Sequence, residues 1–530
     1  MAVRRTITVM YKPIILIVLD GWGISEAKDN VLRTTKLPTI EKLNRYYPMI
    51  ALQASGISVG LPWGEAGNSE VGHMTMGAGK IIYQNLPRIS LSIQDGSFFA
   101  NPVLLKALAN VKEHTSALHL MGLISDGAVH AHLEHLYALL EAAKNNGVTK
   151  IFIHAFTDGR DASPNAGARL IKDLGAKLKL YGCGTIASLC GRHWAMDRNN
   201  NWDRVEKAYK LLTRGEGTII TDPIAYLQEM YAKNVSDEYV QPAMIKNADG
   251  SFPVIKENDS VIFFNFREDR ARELTKAFIL PGFEKFERGK RMDVEFVTMT
   301  EYEKDLPVDI IFPPEEVHNG LGEVLSRHRK KQLRIAETEK YAHVTYFFNG
   351  GLEEPWPGED RVLVPSAAVE RFDEVPEMSA PQITEKVIDA VKQEKYDFIL
   401  INYANADMVA HTGNEEAARD AVRALDKSLS LLIPVIFENG GCIFVTSDHG
   451  NVETMKNFQT GEVDTEHNPS PVPLWFLTAS NHREKKPEEI VRQESEVRGL
   501  LSDIAPTIVE ILGIPKPQDM HGESLLEMLK

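Results

Sequence analysis

Cysteine is scarce: the chain has three in 530 residues, Cys183, Cys190 and Cys442. The count is odd and no C-x-x-C spacing occurs, which excludes a disulfide framework and a thiolate metal site and suits a reducing cytoplasm. Positive charge is also short. Lysine and arginine number 59 against 74 aspartates and glutamates, a net charge of −15, and no basic stripe interrupts this background. A chain so acidic repels nucleic acid and anionic lipid, so neither is expected as a partner; a small anionic substrate fits only where arginines cluster. Long apolar runs are missing as well. Arg4 and Arg5 precede the run Ile14–Leu19, but that run ends at Asp20 with no small-residue cleavage site. It is shorter than a signal-peptide core and far shorter than the ~20 residues of a membrane helix, so it reads as a buried first strand of a soluble protein. Repeats and low-complexity segments are absent. What is present is 43% hydrophobic and 25% charged residues, the balance of a well-cored globular protein. At ~100–200 residues per domain, the length implies two or three domains.

One pattern recurs along the chain: a short apolar run, a polar loop rich in Gly, Asp or Arg, then a helical stretch. It occurs at Ile14–Leu19, Ala117–Ile124, Lys150–Phe156, Gly184–Leu189, Ser260–Phe266, Asp397–Asn402 and Gly441–Thr446. Continuous apolar strands alternating with helices predict an α/β fold with a mostly parallel sheet covered on both faces. Ligands of such sheets sit beyond the carboxyl ends of strands, where the polar clusters fall. Two breaks stand out, near Tyr83–Arg88 and over Leu306–Glu316 with Pro307, Pro313 and Pro314. Candidate metal ligands come from both outer segments, which must therefore meet. The reading is a discontinuous metal-binding domain of residues 1–83 and 317–530, an inserted substrate domain of residues 88–310, and linkers at 84–87 and 311–316.

The outer segments carry carboxylates and imidazoles. Asp20 ends a strand, and Asp407 and His411 lie four apart, on one face if that stretch is helical. Asp448 and His449 follow another strand, and His467 sits in a loop ahead of the run Val472–Leu477. Each alone has a plainer reading as a helix cap or packed side chain. Together, three carboxylates and three imidazoles at strand ends form a donor set for Mn²⁺, Mg²⁺, Co²⁺ or Zn²⁺ rather than Ca²⁺. In Gly67–His73, Ser69 lies between glycines at the start of a predicted helix, where phosphate is stabilised. An equally good local alternative is Ser69 as an N-cap, with Glu70 in the first turn. A serine hydroxyl needs activation, and a divalent cation supplies it. Asp20, Asp407, Asp448 and an ionised Ser69 balance two divalent ions, a combination suited to phosphoryl transfer.

The middle segment is rich in arginine. Arg160, Arg192, Arg198, Arg267 and Arg270 all follow strands, as does the Ser125–His130 stretch. Guanidinium groups bind carboxylate and phosphate in bidentate fashion, so this edge suits a small molecule bearing both. Structural Arg–Asp pairing is the alternative, strongest for Arg270 and Arg272. Asp161, beside Arg160, is a candidate general acid/base.

These stretches resemble the cofactor-independent phosphoglycerate mutases of the alkaline phosphatase superfamily. The likeness rests on Val18–Gly23, Gly67–His73, Gly159-Arg160-Asp161, Ala195–Arg198, Asn265-Phe266-Arg267, Glu337–His343, Asp407–His411 and Ser447–Glu453, and runs nearly end to end. The resemblance implies an alkaline-phosphatase-like domain, its mostly parallel sheet sandwiched by helices, and an inserted α/β domain that closes over the substrate. It implies an isomerase of glycolysis and gluconeogenesis that interconverts 3-phosphoglycerate and 2-phosphoglycerate through a phosphoserine at Ser69, without 2,3-bisphosphoglycerate. One metal ion would be held by Asp407, His411 and His467, the other by Asp20, Ser69, Asp448 and His449, with Mn²⁺ ahead of Mg²⁺, Co²⁺ and Zn²⁺. Substrate contacts would come from His130, Arg160, Asp161, Arg192, Arg198, Arg267, Arg270 and Lys340, with Asp161 as acid/base. The expected enzyme is a cytoplasmic monomer acting on phosphoglycerates, with no nucleic acid or membrane partner. Departures from the family pattern are Ala131, His193-Trp194, Asn199, Lys80 and the stretch Lys28–Leu32; none removes a proposed ligand or nucleophile.

Three other readings compete with this one. A related two-metal phosphatase or a sugar-phosphate mutase would share the metal centre, but a large arginine-bearing insert favours retention of glycerate over hydrolysis. A sulfatase is disfavoured because Ser69 lacks the C/S-x-P-x-R context. A binding protein without turnover would need neither Ser69 nor Asp161.

Overall fold

The computed structural model describes residues 11–246, 249–457 and 460–530, so Arg4 and Arg5 lie outside the described residues. The chain divides into two compact units, Met1–Gln84 with Glu315–Lys530, and Asn85–Pro314. Neither expected linker is a plain loop. A helix begins at Asn85, with Pro87 in its first turn where a missing N–H costs nothing. The strand Asp309–Phe312 reaches into the second linker.

The first unit is built on an eight-stranded sheet in the order Glu359–Val364, Gln332–Glu337, Phe398–Tyr403, Ile14–Leu19, Cys442–Thr446, Val472–Leu477, Met49–Gln53 and Val497–Leu500. Only Val472–Leu477 runs against the rest. The central strand Ile14–Leu19 is apolar throughout because both of its faces are covered. Ile15, Ile17 and Leu19 pack with one cluster, which includes Val387 of the helix Ala380–Lys392 and Leu425 of the helix Glu415–Glu438. Ile14, Leu16 and Val18 pack with the opposite cluster, which includes Ile508 of the helix Ile504–Ile511 and Met76 of the helix Ser69–Ala78. All six strand side chains have zero exposure, each contributing roughly 1.5–3 kcal/mol of burial.

Register then places the chemistry. Leu19 pairs with Tyr403 and Val18 with Thr446, so three strands finish level with one another. The residues that follow them, Asp20, the helix Asn405–Ala410 and Ser447-Asp448-His449, emerge at one edge.

The second unit has its own eight-stranded sheet, in the order Asp309–Phe312, Glu295–Thr300, Ser260–Phe263, Leu118–Ile124, Ile151–Thr157, Thr185–Gly191, Ala243–Ile245 and Thr218–Ile220. Six strands are parallel, and the final pair runs the other way. Ile124 pairs with Thr157, and Thr157 with Gly191, so Ser125, Asp158 and Arg192 begin side by side. Among the described residues no helix is long and apolar enough to cross a membrane.

Candidate active site

In the first unit, Asn68 caps the helix Ser69–Ala78, accepting from Val71 N at 3.0 Å. This removes the reading of Ser69 as the cap. Ser69 is the first helical residue, and its hydroxyl is left free for other partners. Ser69 Oγ lies 3.1 Å from Asp20 Oδ1, 3.0 Å from His449 Nε2 and 2.7 Å from Lys340 Nζ. Gly72 allows this approach, because a Cβ there would stand 2.7 Å from the Asp448 carbonyl oxygen.

The six proposed ligand side chains besides Ser69 converge on the same region. Asp407 Oδ1, His411 Nε2 and His467 Nε2 are mutually 3.1–3.2 Å apart. His449 Nε2 lies 3.4 Å from Asp20 Oδ1 and 3.8 Å from Asp448 Oδ2. Asp20, Asp407, Asp448 and His449 are buried, while His411 and His467 form the outer rim.

Hydrogen bonding fixes the tautomers. His411 Nδ1 meets the Thr465 carbonyl at 2.7 Å, His467 Nδ1 the Gly67 carbonyl at 2.9 Å and His449 Nδ1 the Gly450 carbonyl at 3.3 Å. A carbonyl only accepts, so each Nδ1 carries a proton, and it is Nε2 that each ring turns inward, with a lone pair there whenever the ring is neutral. Backbone-anchored imidazoles of this kind are the usual arrangement of metal-ligating histidines. Two Nε2 atoms 3.1 Å apart, each 3.2 Å from a buried carboxylate oxygen, bring three donor atoms together at one point. Ligand atoms about 2.0–2.2 Å from a divalent ion stand just over 3 Å from each other, so the donor set fits such an ion.

Electrostatics agree. Burial opposes ionisation of Asp407, yet the Lys340 ammonium and neighbouring imidazoles hold its carboxyl well below the usual range. Burial likewise opposes Asp448, and His449 and His73 outweigh it. The carboxylates act in return. His449 is pushed up to about 9 against its burial, chiefly by Asp448, and His411 is raised by its bond to Asp407. A divalent cation answers the same negative field.

Lys340 follows the strand Gln332–Glu337 and is nearly fully buried. Its ammonium lies 2.8 Å from Asp20 and 2.6 Å from Asp407, as well as on Ser69. Residues not singled out from sequence complete the site. His73 lies one turn beyond Ser69, its Nδ1 2.9 Å from the Ser69 carbonyl and 3.2 Å from Asp448 Oδ2. Asn402 donates to Asp20 Oδ2 at 2.7 Å and lies 3.1 Å from His73 Nε2. Asn451 donates to Asp407 Oδ1 at 2.8 Å. The four-residue spacing of Ser69 and His73 was a readable helical signal; nothing local marked Asn402, whose partner is distant in sequence.

In the second unit, Asp158 organises the arginine edge. One carboxylate oxygen accepts from Arg160 N at 3.1 Å, Asp161 N at 3.0 Å and Arg192 Nη1 at 2.6 Å. The other oxygen accepts from Ser125 Oγ at 2.5 Å. Arg192 also reaches Asp161 at 2.5 Å, and His130 Nε2 stands 3.5 Å from Asp161. Asp269 pairs with Arg198 at 2.6 Å and Arg267 at 3.3 Å, and Arg160 faces Glu238 at 3.4 Å. Arg–acid pairing is therefore real at four of the five positions. Arg270 departs from it, its guanidinium reaching the Met196 carbonyl at 3.2 Å. Burial, followed by the charges of Arg192, Arg198 and Arg160, lowers its pKa, so these cations share one neighbourhood. His130 is driven down to about 4, first by burial and then by Arg192. Such crowding of positive charge is relieved by an anion. Among the departures from the family pattern, Lys80 pairs with Glu315 at 2.9 Å, Ala131 is buried, and His193 packs between Trp194 and Tyr239.

Residues 89–304 match the family described as BPG-independent PGAM N-terminus, and residues 321–501 match type I phosphodiesterase / nucleotide pyrophosphatase. The chain is 46% identical over 518 residues to 2,3-bisphosphoglycerate-independent phosphoglycerate mutase of Clostridium novyi (strain NT), covering 97% of this chain and 99% of that protein. It is 47% identical over 518 residues to 2,3-bisphosphoglycerate-independent phosphoglycerate mutase 2 of Methanosarcina acetivorans, covering 97% of each. A crystal structure of Leishmania mexicana phosphoglycerate mutase at low cobalt concentration superposes with a TM-score of 0.52 at 29% identity, over 97% of both chains.

Proposed function

The chain belongs to the 2,3-bisphosphoglycerate-independent phosphoglycerate mutase family, and from that premise we propose how its own residues interconvert 3-phosphoglycerate and 2-phosphoglycerate. Asp407, His411 and His467 would hold one divalent ion, and Asp20, Ser69, Asp448 and His449 the other, with Mn²⁺ the favoured metal. Such ions favour an ionised serine and offset phosphoryl charge.

The guanidinium groups of Arg160, Arg192, Arg198, Arg267 and Arg270 bind the carboxylate and phosphate of the substrate, with His130 beside them. Ser69 Oγ attacks phosphorus, the bond to the substrate's 3-oxygen breaks, and a phosphoserine forms. Lys340, within 2.7 Å of Ser69 Oγ, offsets charge on the attacking oxygen and then on the phosphoryl group. Asp161 delivers the proton the departing 3-oxygen needs and takes one from the 2-hydroxyl as that group attacks the phosphoserine. Ser69 is regenerated and atoms balance. The arginine edge favours return of the phosphoryl group to glycerate over its loss to water, which sets this reading above a phosphatase of the same superfamily. A cytoplasmic monomer suits it.

The observation that carries the proposal is a serine hydroxyl, freed from capping by Asn68, set among two carboxylate-imidazole groupings and a buried ammonium. The test incubates protein with 3-phosphoglycerate and Mn²⁺, without 2,3-bisphosphoglycerate, and follows 2-phosphoglycerate. Turnover is expected from the wild type, and neither turnover nor phosphoenzyme from Ser69→Ala. Turnover by that variant would remove Ser69 from the mechanism.

A further inference from the structure

Glu453 is about 1% exposed, and among the described residues no hydrogen bond or ion pair joins it to a proposed ligand side chain or to a cationic side chain. Its Oε2 accepts from Gly23 N and Asn451 N, both at 2.9 Å, while Oε1 is buried with no hydrogen-bond partner. A carboxylate in that condition costs free energy, so something else must fix its place.

Two glycines show how closely the backbone is fitted around it. A Cβ on Gly23 would lie 2.2 Å from Glu453 Oε1, and one on Gly450 would lie 2.5 Å from the same atom. Neither glycine needs left-handed backbone, since neither φ is positive. At Gly23 the space a side chain would need is filled by Glu453 alone, while at Gly450 it is shared between Glu453 and Asn468 Oδ1, also 2.5 Å away.

The two N–H groups it binds belong to loops that supply ligands from distant parts of the chain. Gly23 ends the turn that starts at Asp20, and the same turn is tied to the other loop by Trp22 N to Ser447 Oγ at 2.8 Å and Val452 N to Gly21 O at 3.0 Å. Asn451 follows Asp448 and His449, and its side chain holds Asp407 Oδ1 at 2.8 Å. Gly450 bridges to Asn468, the neighbour of His467. Glu453 thus bonds two of the ligand-bearing segments directly, and Asn451 and Gly450 carry the connection on to two more.

We propose that Glu453 is a positioning residue for the metal centre. It clamps the Asp20 turn to the Asp448–Asn451 loop through two backbone amides, and so sets the spacing of ligands with which it shares no hydrogen bond. This rests on the metal-ligand reading above. Residues that orient ligands typically carry 10–100-fold in metal affinity.

The experiment is titration of chelator-stripped protein with Mn²⁺ alone, read by calorimetry and by paramagnetic resonance of free Mn²⁺, with circular dichroism reporting the fold. Glu453→Ala is expected to weaken Mn²⁺ binding about 10–100-fold. Glu453→Gln keeps an acceptor for both amides and should stay within about threefold of wild type on the same scale. Gly23→Ala, which pushes the carboxylate aside, should resemble Glu453→Ala and carries the test if that variant fails to fold. Wild-type affinity in both Glu453→Ala and Gly23→Ala overturns the clamp alone. Equal losses in Glu453→Gln and Glu453→Ala overturn it too, because the charge and not the amide contacts would then matter. Wild-type protein that takes up no Mn²⁺ overturns the metal reading and the clamp with it.

Discussion

Replacing Lys340 with methionine keeps a side chain of similar length and removes one positive charge from a buried pair of aspartates. The ammonium lies 2.8 Å from Asp20 and 2.6 Å from Asp407, both almost fully buried. Burial works against the ammonium, but the charges of Asp20, Asp407 and Asp448 more than offset it and raise its pKa. Removing one partner of a buried ion pair costs about 3–5 kcal/mol, because the remaining charge is left uncompensated. In chelator, Lys340→Met should therefore melt roughly 6–20 °C below wild type, at about 2–4 °C per kcal/mol. The deficit should widen as pH rises from 5 to 8, since protonation of the stranded carboxylates relieves it at the acid end. Saturating Mn²⁺ should narrow it, because divalent charge replaces part of what the ammonium supplied. Activity should not recover with stability, since the contact to Ser69 Oγ is gone. Thermal melts of both proteins in chelator and in Mn²⁺, across that pH range, make the comparison. Equal melting in chelator at pH 8 would refute the view that Lys340 balances these carboxylates.

Other expectations concern metal, substrate and acid. Asp407→Asn should bind one fewer Mn²⁺ per chain by calorimetry and lose turnover; full stoichiometry would remove Asp407 from the ligands. Arg267 is about half exposed, so Arg267→Ala should raise KM while changing stability by less than about 0.5 kcal/mol. Arg192 is buried against Asp158 and Asp161, so Arg192→Ala should also cost about 3–5 kcal/mol in urea unfolding; equal stability of the two variants would contradict the burial argument. Asp161→Asn should lower kcat by about 10²–10⁴ with the fold intact, and an unchanged kcat would exclude it as acid/base. His135 is fully buried, and burial, with the charge of His132 second, pushes it down to about 3. Its folded pKa lies below its unfolded value of about 6.5, so the stability it contributes is present above pH 6.5 and is lost as pH falls. Between pH 6.5 and 5 that amounts to about 2 kcal/mol, with buried His119 and His154 acting in the same direction. His135→Gln should flatten the fall of melting temperature with acid; an unchanged slope would refute the assignment.

The strand-loop-helix rhythm was legible because a strand covered on both faces must be apolar at every position, as Ile14–Leu19 is. Candidate ligands were legible because Asp and His immediately after such strands have few other reasons to recur. The i, i+4 spacing of Asp407 and His411 is local geometry, and the helix Asn405–Ala410 realises it. Local sequence fell short wherever two readings shared the same residues. Ser69 could be a cap or a nucleophile until Asn68 took the cap and left the hydroxyl among Asp20, His449 and Lys340. Composition could not tell an anion-binding arginine from an ion-paired one; four of the five proved to be paired with acids, and the fifth, Arg270, is the one crowded by its fellow cations.

Residue type and order by themselves determined a mostly parallel α/β architecture, the strand ends where chemistry gathers, and a donor set suited to divalent ions. Only the tertiary structure decided which ring nitrogens face inward, that Lys340 sits among the carboxylates, and that Glu453 fills the space beside Gly23. The physical reason is separation: Gly23 and Glu453 are 430 positions apart, and a contact that long is encoded nowhere in local periodicity. It exists because sheet register brings the ends of the strands Ile14–Leu19 and Cys442–Thr446 level, and the packing of the whole unit fixes that register.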